Sequence, residues 1–208
     1  MQAGAPNLLD EIQAGLDRAW HIANTDFEDA DWSAIYKGAL AIPCFRRGYA
    51  VACRISPRHG LAKSRPEVRS FRQFTSLFQP NEQALDLLAL DRRNLRPILG
   101  AELEWTANRS YRVKKNDRVL RKIWGEEAIP RDDYIAEVLY DLGRMLVVNP
   151  PNMVVIAHPP QKEGPDRIRR SVAAMYRRAM KGRHIGRLLI MVDGAREGNF
   201  YRSPIFDP

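Results

Sequence analysis

Three carboxylates in the stretch "ALDLLALDRRNLRPILGAELEW", residues 84–105, have types and spacing that could do chemistry. Asp86 heads one apolar run, and Glu102 and Glu104 stand two apart in the next, which ends in Trp105. Side chains alternate along a strand, so Glu102 and Glu104 share one face while Leu99, Ala101, Leu103 and Trp105 take the other. Asp86, on the neighbouring strand, can reach the same place. A carboxylate inside a buried strand costs several kcal/mol unless a positive or hydrogen-bonding group meets it. These acids therefore demand a counterpart.

The elements that must position them follow from apolar spacing. Leu85–Leu90 and Ile98–Trp105 flank the turn-type cluster "DRRN" and form a β-hairpin. A tight turn at Asp91–Asn94 would set Asp86 opposite Leu99, about 10 Å along the strand from Glu102. For the two acids to meet, the hairpin needs a wider loop or a bulge, which Pro97 and Gly100 would permit. Upstream, Leu8, Leu9, Ile12, Leu16, Ala19, Trp20 and Ala23 give an amphipathic helix, and Trp32, Ile35 and Tyr36 a second short helix ending before Pro43. Tyr49–Ile55 is a β-rich run, and Glu67–Phe78 a helix after Pro66. Downstream, Asp132 or Asp133 caps a helix with the stripe Ile135, Val138, Leu139, Leu142, Met145 and Leu146. "NMVVIAH" and "RLLIMVD" are buried strands. Between them Pro165 starts a helix with Ile168, Val172, Met175, Tyr176 and Ala179 inward. The order hairpin, helix, strand, helix, strand predicts an α/β protein with a mixed central sheet flanked by helices.

Charge narrows the partners. The 208 residues carry 33 Lys plus Arg against 25 Asp plus Glu, a net charge of +8, which favours polyanions. The bases come in blocks, eight in 45–72, seven in 106–125 and eight in 165–187, with one acid in each block. Residues 1–35 are acidic. Three basic blocks together point to a polyanion groove, with nucleic acid as its first occupant. Cys44 and Cys53 have neither zinc spacing nor a paired His and read as buried reduced thiols. No signal peptide or membrane-length apolar run is present, so a soluble, cytoplasmic protein with no membrane partner is expected. P-loops and Ser/His/Asp arrangements are absent.

The hairpin resembles the PD-(D/E)xK nuclease superfamily over residues 67–158. That signature is an Asp heading an apolar strand, a polar turn, a second strand bearing Glu-x-Lys, then a helix and a strand. Here Asp86 heads "LLAL", "DRRN" turns, and "PILGAELEW" carries Glu102-x-Glu104, with Leu85 where a proline often stands and Glu104 in place of the lysine. Some restriction enzymes of the superfamily make the same exchange and stay active. The resemblance implies a restriction-endonuclease-like core over 46–208, an N-terminal helical extension over 1–45, and one domain across 1–208. It further implies a metal-dependent endonuclease hydrolysing phosphodiester bonds.

Such hydrolysis needs a hard cation, and Mg²⁺ (or Mn²⁺) takes one or two carboxylates plus water and phosphate oxygens. Asp86 and Glu102 would be its ligands, with the Leu103 carbonyl a third, and Glu104 a general base or a ligand for a second metal. Arg109, Arg112, Lys114, Lys115, Arg169, Arg170, Arg177 and Arg178 would hold the phosphates of double-stranded DNA. A homodimer is admitted. Tyr111, Trp124 and Tyr176 are placed to stack on bases, although core packing also explains Tyr176. His158 and His184 read as structural or phosphate-contacting. Two other classes stay open at this point: a nucleic-acid-binding protein that keeps the fold without turnover, and a scaffold that docks through its acidic first helix.

Overall fold

Six strands hydrogen-bond side by side in chain order: β1 (Ala50–Ile55), β2 (Leu85–Leu90), β3 (Pro97–Trp105), β4 (Asn152–His158), β5 (Arg187–Gly194) and β6 (Asn199–Arg202). The computed structural model describes residues 7–25, 32–55, 85–105, 121, 123–125, 133–158, 165–181, 186–194 and 199–202. The expected helix at 67–78, the basic segment 109–115, Tyr111 and His184 lie outside the described residues. β1, β2 and β3 form an antiparallel meander, β3, β4 and β5 run parallel, and β6 returns antiparallel to β5. The mixed α/β class expected from the sequence is the class observed. β6 was not expected; its short "NFYR" carries little apolar alternation.

The parallel strands explain the two-sided core. Residues 153–157 of β4 and 188–192 of β5 are all buried, as strands covered on both faces must be. Helices α3 (Asp133–Val148) and α4 (Pro165–Met180) are the crossovers between β3, β4 and β5 and cover one face. Their buried stripes are Ile135, Val138, Leu139, Leu142 and Met145 on α3, and Ile168, Val172 and Tyr176 on α4. At the end of α3, Asn149 adopts a left-handed φ of 49° and its N–H caps the Met145 carbonyl at 2.7 Å, after which Pro150 and Pro151 prevent continuation. Gly186, at the entry to β5, passes close against this corner: a Cβ there would lie 2.8 Å from the Pro151 carbonyl carbon.

The other face is covered by α1 (Leu8–Thr25) and α2 (Trp32–Arg46), whose Leu9, Ile12, Leu16, Tyr36 and Leu40 pack on Leu87, Ala89, Leu99, Ala101 and Leu103. The segment expected as an N-terminal extension is thus one layer of a helix–sheet–helix sandwich. α2 also continues through Pro43, where the sequence suggests a stop. The proline sits in the last turn, so the only intrahelical bond it removes is the one to the Ala39 carbonyl. That carbonyl faces Gly15 of α1, so close that a Cβ on Gly15 would stand 3.2 Å from it. Cys44 is buried, and burial pushes its thiol up to about 12. Cys53 is exposed, contrary to expectation, because β1 is the sheet's edge strand. Among the described residues no helix is long and apolar enough to cross a membrane.

Candidate functional site

The hairpin between β2 and β3 solves the register problem with a loop two residues wider than the tight turn, Asp91–Arg96, and one bulged residue. Its loop is closed by Asp91, whose N–H donates to the Arg96 carbonyl at 2.9 Å and whose side chain accepts from the Arg93 and Asn94 N–H groups. Leu95 takes a left-handed φ of 56°. The ladder then pairs Leu90 with Pro97 but Ala89 with Leu99, so Ile98 is bulged. From there the pairs run Leu88 with Gly100 and Leu87 with Ala101. Asp86 consequently falls level with Glu102, not with Leu99.

At that level the ladder stops and side chains replace it. The Asp86 N–H donates to Glu102 Oε2 at 3.2 Å, and the Leu103 N–H donates to Asp86 Oδ2 at 2.9 Å. Each acid thus holds a backbone donor of the opposite strand's pair. β3 continues to pair with β4 through Trp105, while beyond Glu102 no described strand pairs with its other edge. The Leu103 side chain is buried against α1 and α2.

Helix α3 supplies what the sequence reading missed. Arg144 Nη2 lies 3.0 Å from Glu102 Oε1 and also pairs with Asp141, one turn earlier on the same helix. Its guanidinium stands 5.6 Å above the Tyr140 ring. The Glu104 carboxyl faces Asp141 and Glu137, which act on its titration, and its backbone carbonyl accepts from Tyr134 Oη at 3.3 Å. Glu137, Asp141 and Arg144 recur at i, i+4 and i+7 beside the apolar stripe, a helical spacing that marks one face. In this structure the positive group that meets Glu102 is Arg144.

A second cation comes from the opposite layer. Lys37 of α2 places Nζ 3.6 Å from Asp86 Oδ1, the Asp86 side chain being 23 % exposed and that of Glu102 1 %. The acid cluster therefore opens towards solvent at Asp86.

The electrostatics follow from burying so many acids together. Burial pushes the Glu104 carboxyl up to about 11, and Asp141 and then Glu137 add to the rise by charge and by hydrogen bonding. It is protonated at neutral pH. Burial also raises Glu102 well above its ordinary value; Arg144 opposes the rise, while Asp141 and Asp86 reinforce it. For Arg144, burial works against the charge, but Glu102 and Asp141 more than offset it and hold the guanidinium charged. Among the described residues, Asp86, Glu102, Glu137, Asp141 and the protonated Glu104 stand against Arg144 and Lys37, so acids outnumber bases. As placed, the described residues include no group of three or more His, Cys, Asp or Glu side chains arranged to hold a metal ion.

The remaining candidates are scattered. Arg169 pairs with Asp166 at 3.2 Å, the Arg170 Nε–H donates to the Asp166 carbonyl, and Arg177 and Arg178 are exposed. All four lie on α4, which covers the same face of the sheet as α3 but rests over β5. Trp124 is buried and donates to the Leu139 carbonyl at 3.0 Å, and Tyr176 is buried with its hydroxyl on the Gly186 carbonyl, so neither is available to stack on bases. His158 stands 6.2 Å from the Trp32 ring, centroid to centroid. A hollow of about 530 Å³ between α1 and α2, lined by Glu11, Gly15, Ile35, Ile42 and Arg46 among others, contains none of the five acids.

Searches against family models, characterised proteins and solved structures return no match. The function must be argued from the site itself.

Proposed function

We propose that the protein is a metal-dependent nuclease that hydrolyses phosphodiester bonds, with double-stranded DNA as its substrate and a restriction-endonuclease-like core. One observation carries the reading: Asp86 and Glu102 are brought level where β2 and β3 part, the Glu102 carboxylate accepting from the Asp86 N–H and the Asp86 carboxylate from the N–H of Leu103. A bulge and two side-chain bonds in place of a simple ladder are a costly way to end a hairpin unless the acids themselves are wanted there. The order of hairpin, helix and parallel strand is also that of the PD-(D/E)xK signature.

What supports a hard divalent cation is the donor type, carboxylate oxygens gathered at one level of the sheet with acids outnumbering bases among the described residues. Asp86 and Glu102 would hold Mg²⁺ or Mn²⁺, with the Leu103 carbonyl as a third oxygen. When bound, the ion holds the phosphate and lowers the pKa of a water. The protein's own part is to fix the acids by the crossed hydrogen bonds, to keep Glu102 oriented through Arg144, and to gather DNA through exposed bases such as Arg177 and Arg178. In the reaction a water oxygen bonds to phosphorus and one P–O ester bond breaks. The water's proton passes to solvent, and the departing oxygen takes one from it.

Purified protein incubated with supercoiled plasmid and with RNA is expected to cut DNA with Mg²⁺ or Mn²⁺ and not with EDTA, and Asp86→Asn and Glu102→Gln should abolish cutting. Wild-type protein inert with every divalent ion would overturn the reading. Replacing Arg169, Arg170, Arg177 and Arg178 by Ala should weaken DNA binding and flatten the slope of log K against log salt by about 2 to 4. An unchanged slope would show that α4 does not touch phosphate.

A second reading has one specific observation in its favour. Arg144 already compensates Glu102, as it would in a protein that kept the fold for binding nucleic acid without cutting it. Salt-sensitive DNA binding with no metal binding would select that reading.

A further inference from the structure

Resting on the nuclease reading, we infer that Lys37 is a catalytic residue: its ammonium supplies, from helix α2, the phosphate-facing positive charge that β3 lacks at position 104. Attack on a phosphodiester concentrates negative charge on the non-bridging oxygens, and preorganised cations or donors aimed at them account for much of the catalysis. The position two after Glu102 is itself a carboxyl, turned towards Asp141 and Glu137 of α3, and can offer no such charge.

Among the described residues two cations stand against these acids, and their engagements differ. Arg144 is committed to two carboxylates, Glu102 at 3.0 Å and Asp141, and lies against the Tyr140 ring. Turning it to a phosphate would strip Glu102 of its buried counter-ion, at a cost of several kcal/mol. Lys37 has a looser pairing. Its Nζ is 3.6 Å from Asp86 Oδ1, beyond good hydrogen-bond length, and it shares the solvent-open edge of the cluster with Asp86. An ammonium has three donors on a flexible stem, so it can keep Asp86 as a neighbour while donating to a phosphoryl oxygen.

The place on the fold agrees. Asp86 Oδ2 is taken by the Leu103 N–H, leaving Oδ1 on the Lys37 side. A phosphate brought up to Asp86 would therefore arrive beside Nζ. Lys37 neither gains nor loses a proton in this role. As water attacks and the ester oxygen leaves, it holds the added charge on the phosphoryl oxygens. Position 37 lies far from the hairpin in the chain, where sequence spacing cannot flag it.

Single-turnover cleavage at saturating Mn²⁺ separates this role from a merely structural one. Lys37→Met keeps most of the side chain's length and should lower the rate about 100-fold or more. Its Mn²⁺ affinity by calorimetry should stay equal or tighten, since a competing cation has left Asp86. Lys37→Arg should retain part of the rate and, by its thermal midpoint, confirm that the fold is intact. If wild-type protein cuts and Lys37→Met cuts within about threefold of it at saturating Mn²⁺, Lys37 is only a counter-ion and this inference fails alone. Wild-type protein that cuts nothing with any divalent ion overturns the nuclease reading and this inference with it.

Discussion

Arg144→Met is expected to lower the thermal midpoint by about 10 °C. The guanidinium is the positive group against Glu102, and it also pairs with Asp141. Removing one partner of a buried pair leaves the other uncompensated, which costs about 3–5 kcal/mol, and each kcal/mol moves the midpoint of a domain of this size by about 2–4 °C. Protonation of Glu102 limits the damage, since burial already pushes its carboxyl upward. The double variant Arg144→Met, Glu102→Gln should recover part of the loss, because it removes the orphaned acid as well. Calorimetric scans of the three proteins at pH 7 would show it. A midpoint unmoved by Arg144→Met would mean that the pair is not formed in solution.

Glu104→Gln should turn from nearly neutral to stabilising as pH rises. Between the ordinary carboxyl value and about 11, the folded protein holds a proton on Glu104 that the unfolded chain has released. The folded state binding the extra proton, stability must fall as pH rises through that window, on the order of 1 kcal/mol per pH unit. Glutamine keeps the shape, keeps a donor for Asp141 and Glu137, and cannot ionise. Wild type and variant should therefore be close in stability at pH 5, and the variant clearly the more stable at pH 9. Mg²⁺ provides a companion measurement. On the nuclease reading a cation replaces the proton, so the rise in wild-type midpoint on adding Mg²⁺ should be larger at pH 8 than at pH 5. Parallel pH curves for the two proteins would show that Glu104 is already ionised in the fold.

Most of the sandwich was legible in the chain because each element carries its own period. α1, α3 and α4 repeat apolar residues at helical spacing, and β4 and β5 are unbroken apolar runs between prolines or bases. The need for a wider loop or a bulge was legible too, since alternation and rise per residue alone keep Asp86 from Glu102 in a simple hairpin, and the chain uses both. The rest depended on contacts between segments distant in the chain. Glu137, Asp141 and Arg144 are polar residues on the inward side of a helix whose stripe looked complete without them, and only β3's acids across the interface explain them. Lys37 sits in a helix with little amphipathic contrast and meets Asp86 through tertiary packing. Pro43 misled because a proline ends a helix when it falls early in it, but can be carried in the last turn.

The Ile98 bulge makes the outer end of the hairpin a measuring device for its inner end. Asp86 lies about 13 Å along β2 from the loop, yet what it meets is set by how many residues intervene between Asp91 and Leu99. Deleting one residue there has two outcomes: β3 loses the bulge and keeps Asp86 level with Glu102, or keeps the bulge and presents Leu103 where Glu102 now stands, turning both glutamates towards α1 and α2. Surface loops ordinarily absorb changes in length. Here the bulge is the slack that absorbs one residue, so that homologous chains could differ freely in the spelling of the turn and, by one letter, in its length.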